Sequence, residues 1–211
     1  MDLPFKVGDR LADVRLGSMG GTSCALHDHR GRKKLVYVWG SWSDSREQLG
    51  ALEEFHRKTP GLVVISIACD AQGVDLPMRY LNKVRPTHEM WIDATCCLAR
   101  RWKLKSAGVL LLLDENDVLL AAGERPDPAF LGVVGGLLSK TSAADPPPPP
   151  KVDHRDTKIE FLVQLCTNYL TRRRVDDAVG FLRQALALDP QNQVLPPQID
   201  ALLHPEKYYP R

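Results

Sequence analysis

Two apolar runs on either side of one amphipathic helix constrain this chain more than any other feature. "KKLVYVWG" (33–40) and "LVVISIACD" (62–70) are almost unbroken in aliphatic and aromatic residues, the pattern of strands buried on both faces. Between them, "DSREQLGALEEFHRKTP" (44–60) sets Leu49, Leu52 and Phe55 on one helical face, and Pro60 helps to stop the helix. Strand, helix and second buried strand make a parallel β-α-β unit, whose sheet must be covered on both sides.

The flanking segments extend this unit. "DVRL" and "CALHD" are expected as two short strands joined by the Gly-rich loop "GSMGGTS". "VDLPMRYLNKV" contains a short helix, "HEMWID" a short strand, and "ATCCLARRWKL" a helix with Asp93 or Thr95 as its N-cap. "GVLLLLDENDVLLAAG" forms an antiparallel hairpin around a polar turn, and "PDPAFLGVVGGLLSK" a last helix weakened by its glycines. The fold class is therefore α/β, a mixed sheet flanked by helices over residues 1–140.

"TSAADPPPPPKVDHRD" (141–156) breaks the pattern. Consecutive prolines cannot continue a helix and favour extended polyproline II, so this stretch is a semi-rigid linker. Residues 157–211 are helical only: "TKIEFLVQLCTNYLTRRR" and "VDDAVGFLRQALALDP" form an αα-hairpin, and "PPQIDALLHPEKYYP" supplies a short capping helix.

Charge excludes some functions. Lys and Arg number 28 against 26 Asp and Glu, a net charge of +2, which gives no electrostatic case for nucleic acid or a membrane surface. The basic clusters "HRGRKK", Arg100-Arg101 and "RRR" (172–174) are short and belong to solvated loops and helix ends. The N-terminus lacks an apolar segment behind a basic start, and no apolar run reaches membrane-spanning length, so a cytoplasmic location is expected. Five cysteines (Cys24, Cys69, Cys96, Cys97, Cys166) are an odd count in a chain too large to need disulfide staples, and are expected as reduced thiols. No Cys or His pair has a metal-ligand spacing; neither metal nor cofactor is expected.

The order of motifs resembles a thioredoxin-like redoxin of the TlpA/ResA and AhpC/TSA type. "KVGDRLADVRL", "HDHRGRKKLVYVWGSW", "LVVISIACD" and "LLLLDENDVLLAAG" match that family's opening segment, first core strand, second core strand and hairpin in sequence. The resemblance implies a thioredoxin-like fold and, in active members, a W-C-x-x-C motif after the first core strand. There the first cysteine, at a helix N-terminus, is held as a thiolate by free N–H groups and the helix dipole.

This sequence departs from the family at that point. Trp42 keeps the tryptophan position, but Ser43 stands at the nucleophile and Arg46, or Ser45 in the other register, at the resolving position. A serine hydroxyl cannot carry out thiol–disulfide exchange, and no histidine in the motif could serve as its base. Counting back from Asp114 places Gly108 where the family has a cis-proline. The resemblance thus implies a redox-dead member.

Two readings of "WSDSRE" remain open. Asp44 with Glu47, and Ser45 with Gln48, have capping-box spacing. Alternatively an exposed helix end carrying Trp42, Asp44 and Arg46 binds an anion or a partner peptide. Relocated thiol chemistry through Cys69, Cys96 or Cys97 is the enzymatic alternative: Cys69 ends a strand at the edge where the family's site lies, and the vicinal pair opens a helix. Binding of extended polypeptides in the old substrate groove is a third possibility, against which Gly108 argues.

The C-terminal hairpin resembles a single tetratricopeptide repeat. With Pro190 as the motif's terminal proline, Ala185, Leu182, Ala178, Tyr169, Leu165 and Leu162 fall on its signature positions, and Cys166 where glycine is frequent. One repeat cannot bury its own face, so the hairpin must pack on the redoxin domain, on a second copy of the chain or on a partner. The reading that follows is a non-catalytic interaction or scaffold protein that associates through this hairpin; the alternative is a thiol-disulfide oxidoreductase or peroxidase acting through Cys69 and Cys96.

Overall fold

A computed structural model describes residues 3, 5–140, 142, 148 and 155–209. The strands are β1 (Leu16–Ser18), β2 (Ser23–Cys24), β3 (Lys34–Trp39), β4 (Val63–Ala68), β5 (Glu89–Ile92), β6 (Val109–Leu113) and β7 (Leu119–Gly123). The helices are α1 (Leu49–Lys58), α2 (Asp75–Val84), α3 (Cys97–Arg101), α4 (Pro128–Leu137), α5 (Arg155–Leu170), α6 (Val175–Leu188), α7 (Leu195–Leu203) and α8 (Pro205–Tyr208). All seven strands form one mixed sheet, ordered β2-β1-β5-β4-β3-β6-β7. The β3-β4 and β4-β5 pairs are parallel, while β6 joins β3, and β7 joins β6, antiparallel.

Every residue of β3 and β4 is buried, as their unbroken apolar pattern requires. Alternate residues feed two separate cores because side chains in a strand point to opposite faces. Leu35, Tyr37, Trp39, Leu110 and Leu112 pack with Leu49, Leu52, Leu81 and Val134 from α1, α2 and α4. Val36, Val38, Ile65, Ile67, Leu111 and Trp91 form the other core, which continues through Leu98 of α3 into Ile159, Val163, Ala178, Leu182, Ala185 and Leu195 of α5, α6 and α7. The C-terminal helices therefore dock in cis, on the α/β part of their own chain. Of the hairpin positions, Leu162, Ala178, Leu182 and Ala185 are buried, Leu165 and Tyr169 half-buried, and Pro190 exposed. Tyr169 meets Phe181 edge-to-face at 5.0 Å.

Lys34 is the exception within β3. It is fully buried, and its Nζ lies 2.9 Å from Asp117 Oδ1 while donating to the carbonyls of Arg32 and His29. A buried ammonium is tolerable only with such partners. Gly123 is required by packing, since a Cβ there would fall 2.6 Å from the Phe130 ring of α4.

Two local expectations are corrected. The two expected N-terminal strands shift: of "DVRL" only Leu16 lies in a strand (β1, Leu16–Ser18), and of "CALHD" only Cys24 (β2, Ser23–Cys24), while Leu26–His29 is a 3-10 turn because Asp28 and Asp13 accept from the N–H groups of Ala25 and Leu26 and pull the chain out of extension. The helix expected from Asp44 begins as a 3-10 turn over Asp44–Gln48 and becomes α-helical at Leu49. The linker expected over 141–156 falls outside the described residues except at 142, 148 and the helical backbone of 155–156. Among the described residues no helix is long and apolar enough to cross a membrane.

Candidate functional site

The carboxyl ends of β3, β4 and β5 meet at one edge, and the sequence-predicted site residues converge there. After Trp39 the chain turns through Gly40 and Ser41 into the 3-10 turn. Ser43 caps that turn, its Oγ accepting from Ser45 N at 3.2 Å. Ser45 points inward instead: its Oγ accepts from Gly40 N (3.1 Å) and its carbonyl from the Tyr37 hydroxyl (2.7 Å). The capping boxes expected from Asp44 and Ser45 are thus replaced by a Ser43 cap, and Asp44 is exposed.

Trp42, expected on an exposed helix end, is 7% exposed, and its indole N–H donates to Cys69 O at 2.9 Å. The indole packs against Gly40, where a Cβ would clash with its Nε1 at 2.6 Å. Arg46 is turned onto its own loop, donating to Ser41 O (2.8 Å) and Ser43 O (3.3 Å) with its guanidinium over the Tyr80 ring. Gly108 closes the other side. It has φ of +89°, donates to Val38 O at 2.8 Å and abuts Ser45; no peptide bond among the described residues is cis.

A buried carboxyl that the sequence did not single out lies behind this loop. Asp70, fully buried, accepts from Ser41 N (2.9 Å) and Ser41 Oγ (2.5 Å). Burial pushes its pKa up to about 7, against the opposing effect of the two Ser41 hydrogen bonds.

The segment from Cys69 to Gln72 is where the C-terminal helices attach. Gln198 of α7 accepts from Ala71 N at 2.6 Å, and Thr167 of α5 donates to Ala71 O at 2.8 Å. Gln72 donates to the Tyr209 hydroxyl (3.0 Å), which also lies 3.4 Å from Ser41 Oγ. The side chains of α5, α7 and the tail therefore cover the edge that carries Ser41, Trp42, Cys69 and Asp70.

The thiols lie under this cover. Cys69 and Cys96 are both buried. The influence of the Cys96 thiol, then burial, raises the Cys69 pKa well above the ordinary thiol value. Gln198 Nε2 donates to Cys96 Sγ at 3.4 Å. Both members of the vicinal pair are buried, contrary to the expectation of an activated helix-start thiolate. Burial, followed by the nearby Asp93 charge, raises Cys97. Asp93 itself caps α3, accepting from Cys97 N (2.8 Å) and Ala99 N (3.1 Å). Burial likewise pushes Cys166 and Cys24 up to about 12. The environments of Cys24, Cys69, Cys97 and Cys166 all disfavour the reactive thiolate.

A second polar cluster crosses the opposite core. His88 Nε2 lies 3.1 Å from Ser66 Oγ, and His88 Nδ1 lies 2.9 Å from Glu53 Oε2. The order hydroxyl, imidazole, carboxylate is that of a nucleophile chain. All three residues are buried, Ser66 in the middle of a central strand, so the arrangement has no access for a substrate and acts as a structural tie. Neither this cluster nor Asp70 was legible as a unit, because its members lie far apart in sequence.

No protein-family model matches this chain, and no curated protein matches it. Its fold is nevertheless shared with solved structures. A chain assigned as the thiol:disulfide interchange protein DsbE of Chlorobium tepidum is 22% identical, with 63% of this chain and 94% of that one covered at a TM-score of 0.55. A chain assigned as a protein disulfide isomerase of Bacteroides thetaiotaomicron is 16% identical over 66% of this chain and 96% of its own, TM-score 0.57. A secreted Mycobacterium tuberculosis disulfide oxidoreductase, homologous to DsbE of E. coli, is 14% identical over 59% and 96%, TM-score 0.52. These likenesses show the fold alone: a thioredoxin-like domain, here followed by packed C-terminal helices.

Proposed function

We propose that this chain is a non-catalytic, redox-dead thioredoxin-like interaction or scaffold protein, which associates with a protein partner or a second copy of itself through its C-terminal hairpin. One observation carries the reading. The sheet edge that bears Ser43, Ser45 and Gly108 has hydroxyls and a trans glycine where active redoxins use thiols and a cis-proline, and the chain's own helices lie against that edge. Function rests on the site and not on the fold it inherits.

In this reading the hairpin is a single tetratricopeptide-like repeat. Its inner face, including Leu162, Ala178, Leu182 and Ala185, is satisfied in cis, and its outer face carries Phe161, 62% exposed, with Val175 and Leu188 also exposed. The five thiols, all free, suit a reducing cytoplasmic location. The influence of Cys96 on the Cys69 thiol favours one competing reading, a thiol oxidoreductase or peroxidase working through those two residues.

The test is a turnover assay of the full chain, reducing an insulin disulfide with dithiothreitol and hydrogen peroxide with thioredoxin. Rates at the uncatalysed background support the proposal. Turnover that is lost in Cys69→Ser/Cys96→Ser overturns it in favour of the enzyme. Light scattering during gel filtration, with Phe161→Asp beside the wild type, then reports whether the hairpin mediates self-association.

A further inference from the structure

We infer that the C-terminal tail, residues 205–209, is a pH-gated strap, seated over the edge that carries Ser41 while Asp70 is protonated and lifting as that carboxyl ionises. The inference goes beyond the scaffold reading and does not depend on it.

The geometry starts at the carboxyl. Asp70 is fully buried, and one residue serves both of its oxygens: Oδ2 accepts from Ser41 N at 2.9 Å and Oδ1 from Ser41 Oγ at 2.5 Å. The same Ser41 hydroxyl lies 3.4 Å from the Tyr209 hydroxyl, which accepts from Gln72 Nε2 at 3.0 Å. The tail is therefore seated on the side chain that satisfies the carboxyl.

No cation among the described residues pairs with Asp70. Arg46, on the same loop, directs its guanidinium to the carbonyls of Ser41 and Ser43, over the Tyr80 ring of α2. From α5, Cys166 and Thr167 donate to Ala71 O, and from α7 the uncharged Gln198 accepts from Ala71 N. Asp93 is committed to the N–H groups of Cys97 and Ala99. The Cys96 thiol, then burial, holds Cys69 neutral, and burial pushes Tyr209 up to about 12. An ionised Asp70 would thus be a buried charge without a counter-ion. Burial accordingly raises its pKa from 3.8 to about 7.

The tail is the part of the cover that can yield. The helices α5 and α7 bury Ile159, Val163, Leu195 and Ala201 in the core, whereas no residue of α8 is buried and Tyr209 is only half-buried. Lifting it admits water to Ser41 and Asp70, where the charge is then solvated. Seating the tail therefore binds a proton: it is favoured below about 7 and weakens as pH rises through that value. Between pH 6 and pH 8 the seating equilibrium should weaken about tenfold.

The experiment is hydrogen–deuterium exchange of the full chain at pH 6 and pH 8, with each segment's protection taken relative to an unstructured chain at the same pH. The tail should be less protected than β3 at both values, and its protection should fall about tenfold from the lower to the higher. In Asp70→Asn the fall should vanish. His204, at 3.8 Å from both Asp200 and Glu206, is the tail's own imidazole, and His204→Gln should keep the whole fall. That exposed substitution also decides the matter where Asp70→Asn does not fold. A tail as protected as β3 would leave only on global unfolding, and would overturn the strap. Tail protection that is constant with pH, that still falls in Asp70→Asn or that stops falling in His204→Gln would overturn it equally.

Discussion

Gly108 lies against Ser45: a Cβ added to the glycine would fall 3.3 Å from Ser45 Cβ, and the glycine holds φ of +89°. Two positions that the redoxin resemblance marked separately are thus neighbours across the same edge. The contact is tight and the conformation is one that residues with a Cβ rarely adopt. Gly108→Ala should destabilise the fold by about 1–3 kcal/mol through backbone strain. Gly108→Pro should cost more, because it also removes the N–H donated to Val38 O and demands negative φ. Urea unfolding followed by tryptophan fluorescence measures both, and a Gly108→Ala midpoint equal to the wild type would contradict the strain argument.

Asp70 gives the fold an alkaline weakness. Its folded pKa is raised from 3.8 to about 7 by burial, so its contribution is fully present below 3.8 and is lost as pH rises through about 7. The whole shift corresponds to on the order of 4 kcal/mol. Asp70→Asn keeps an acceptor for Ser41 N but has no charge to bury. Thermal unfolding from pH 5 to 9 should therefore fall with pH in the wild type and be nearly flat in the variant. Parallel curves would remove Asp70 from the account.

The opposite core fails in acid. Burial would raise the Glu53 pKa, but bonds from Thr87 N, Thr87 Oγ1, His88 and Arg57 outweigh it and lower the value from 4.5 to about 2. Its contribution is present above 4.5 and is lost as pH falls through about 2. His88, kept neutral chiefly by burial, has its pKa lowered from 6.5, so the fold also weakens as pH drops below that value. Glu53→Gln should cost about 2–4 kcal/mol at neutral pH by leaving charge-assisted donors with a poorer acceptor. It should also blunt the acid limb of the stability curve. An unchanged unfolding midpoint at both neutral and acid pH would show that the tie contributes nothing.

The sheet was legible because its central strands are apolar throughout, and the helix between them has one clear face. What escaped was polar and long-range. Lys34 looks like the charged start of a strand, yet it is buried by Asp117, a residue of the hairpin turn that nothing local connects to it. Gln198 and Tyr209 read as ordinary polar tail residues, and only folding brings them to Ala71, Gln72 and Ser41. The start of "WSDSRE" was misread for a local reason. Ser45 has good capping chemistry, but Gly40 N captures its hydroxyl, so the cap passes to Ser43. Spacing rules count residues along the chain and do not register a competing buried donor.

The most direct probe of the old nucleophile position is Ser43→Cys. Ser43 is half-buried, its Oγ already accepts from Ser45 N, and Arg46 donates to its carbonyl at 3.3 Å. A thiolate there would receive a backbone N–H bond at a helix start and a nearby guanidinium, both of which lower a thiol pKa. The shift should be about 1–2 units below the ordinary value. Cys69, Cys97, Cys166 and Cys24 are held in the opposite direction by burial or by their neighbours. At pH 7 the introduced cysteine should therefore alkylate with iodoacetamide at least about tenfold faster than those four, with a rate profile that rises below the ordinary thiol pKa. Adding Arg46→Ala should move the profile back up. If Ser43→Cys titrates at or above an ordinary thiol, the loop no longer stabilises an anion, and its departure from redoxin chemistry extends beyond the missing sulfur to the geometry around it.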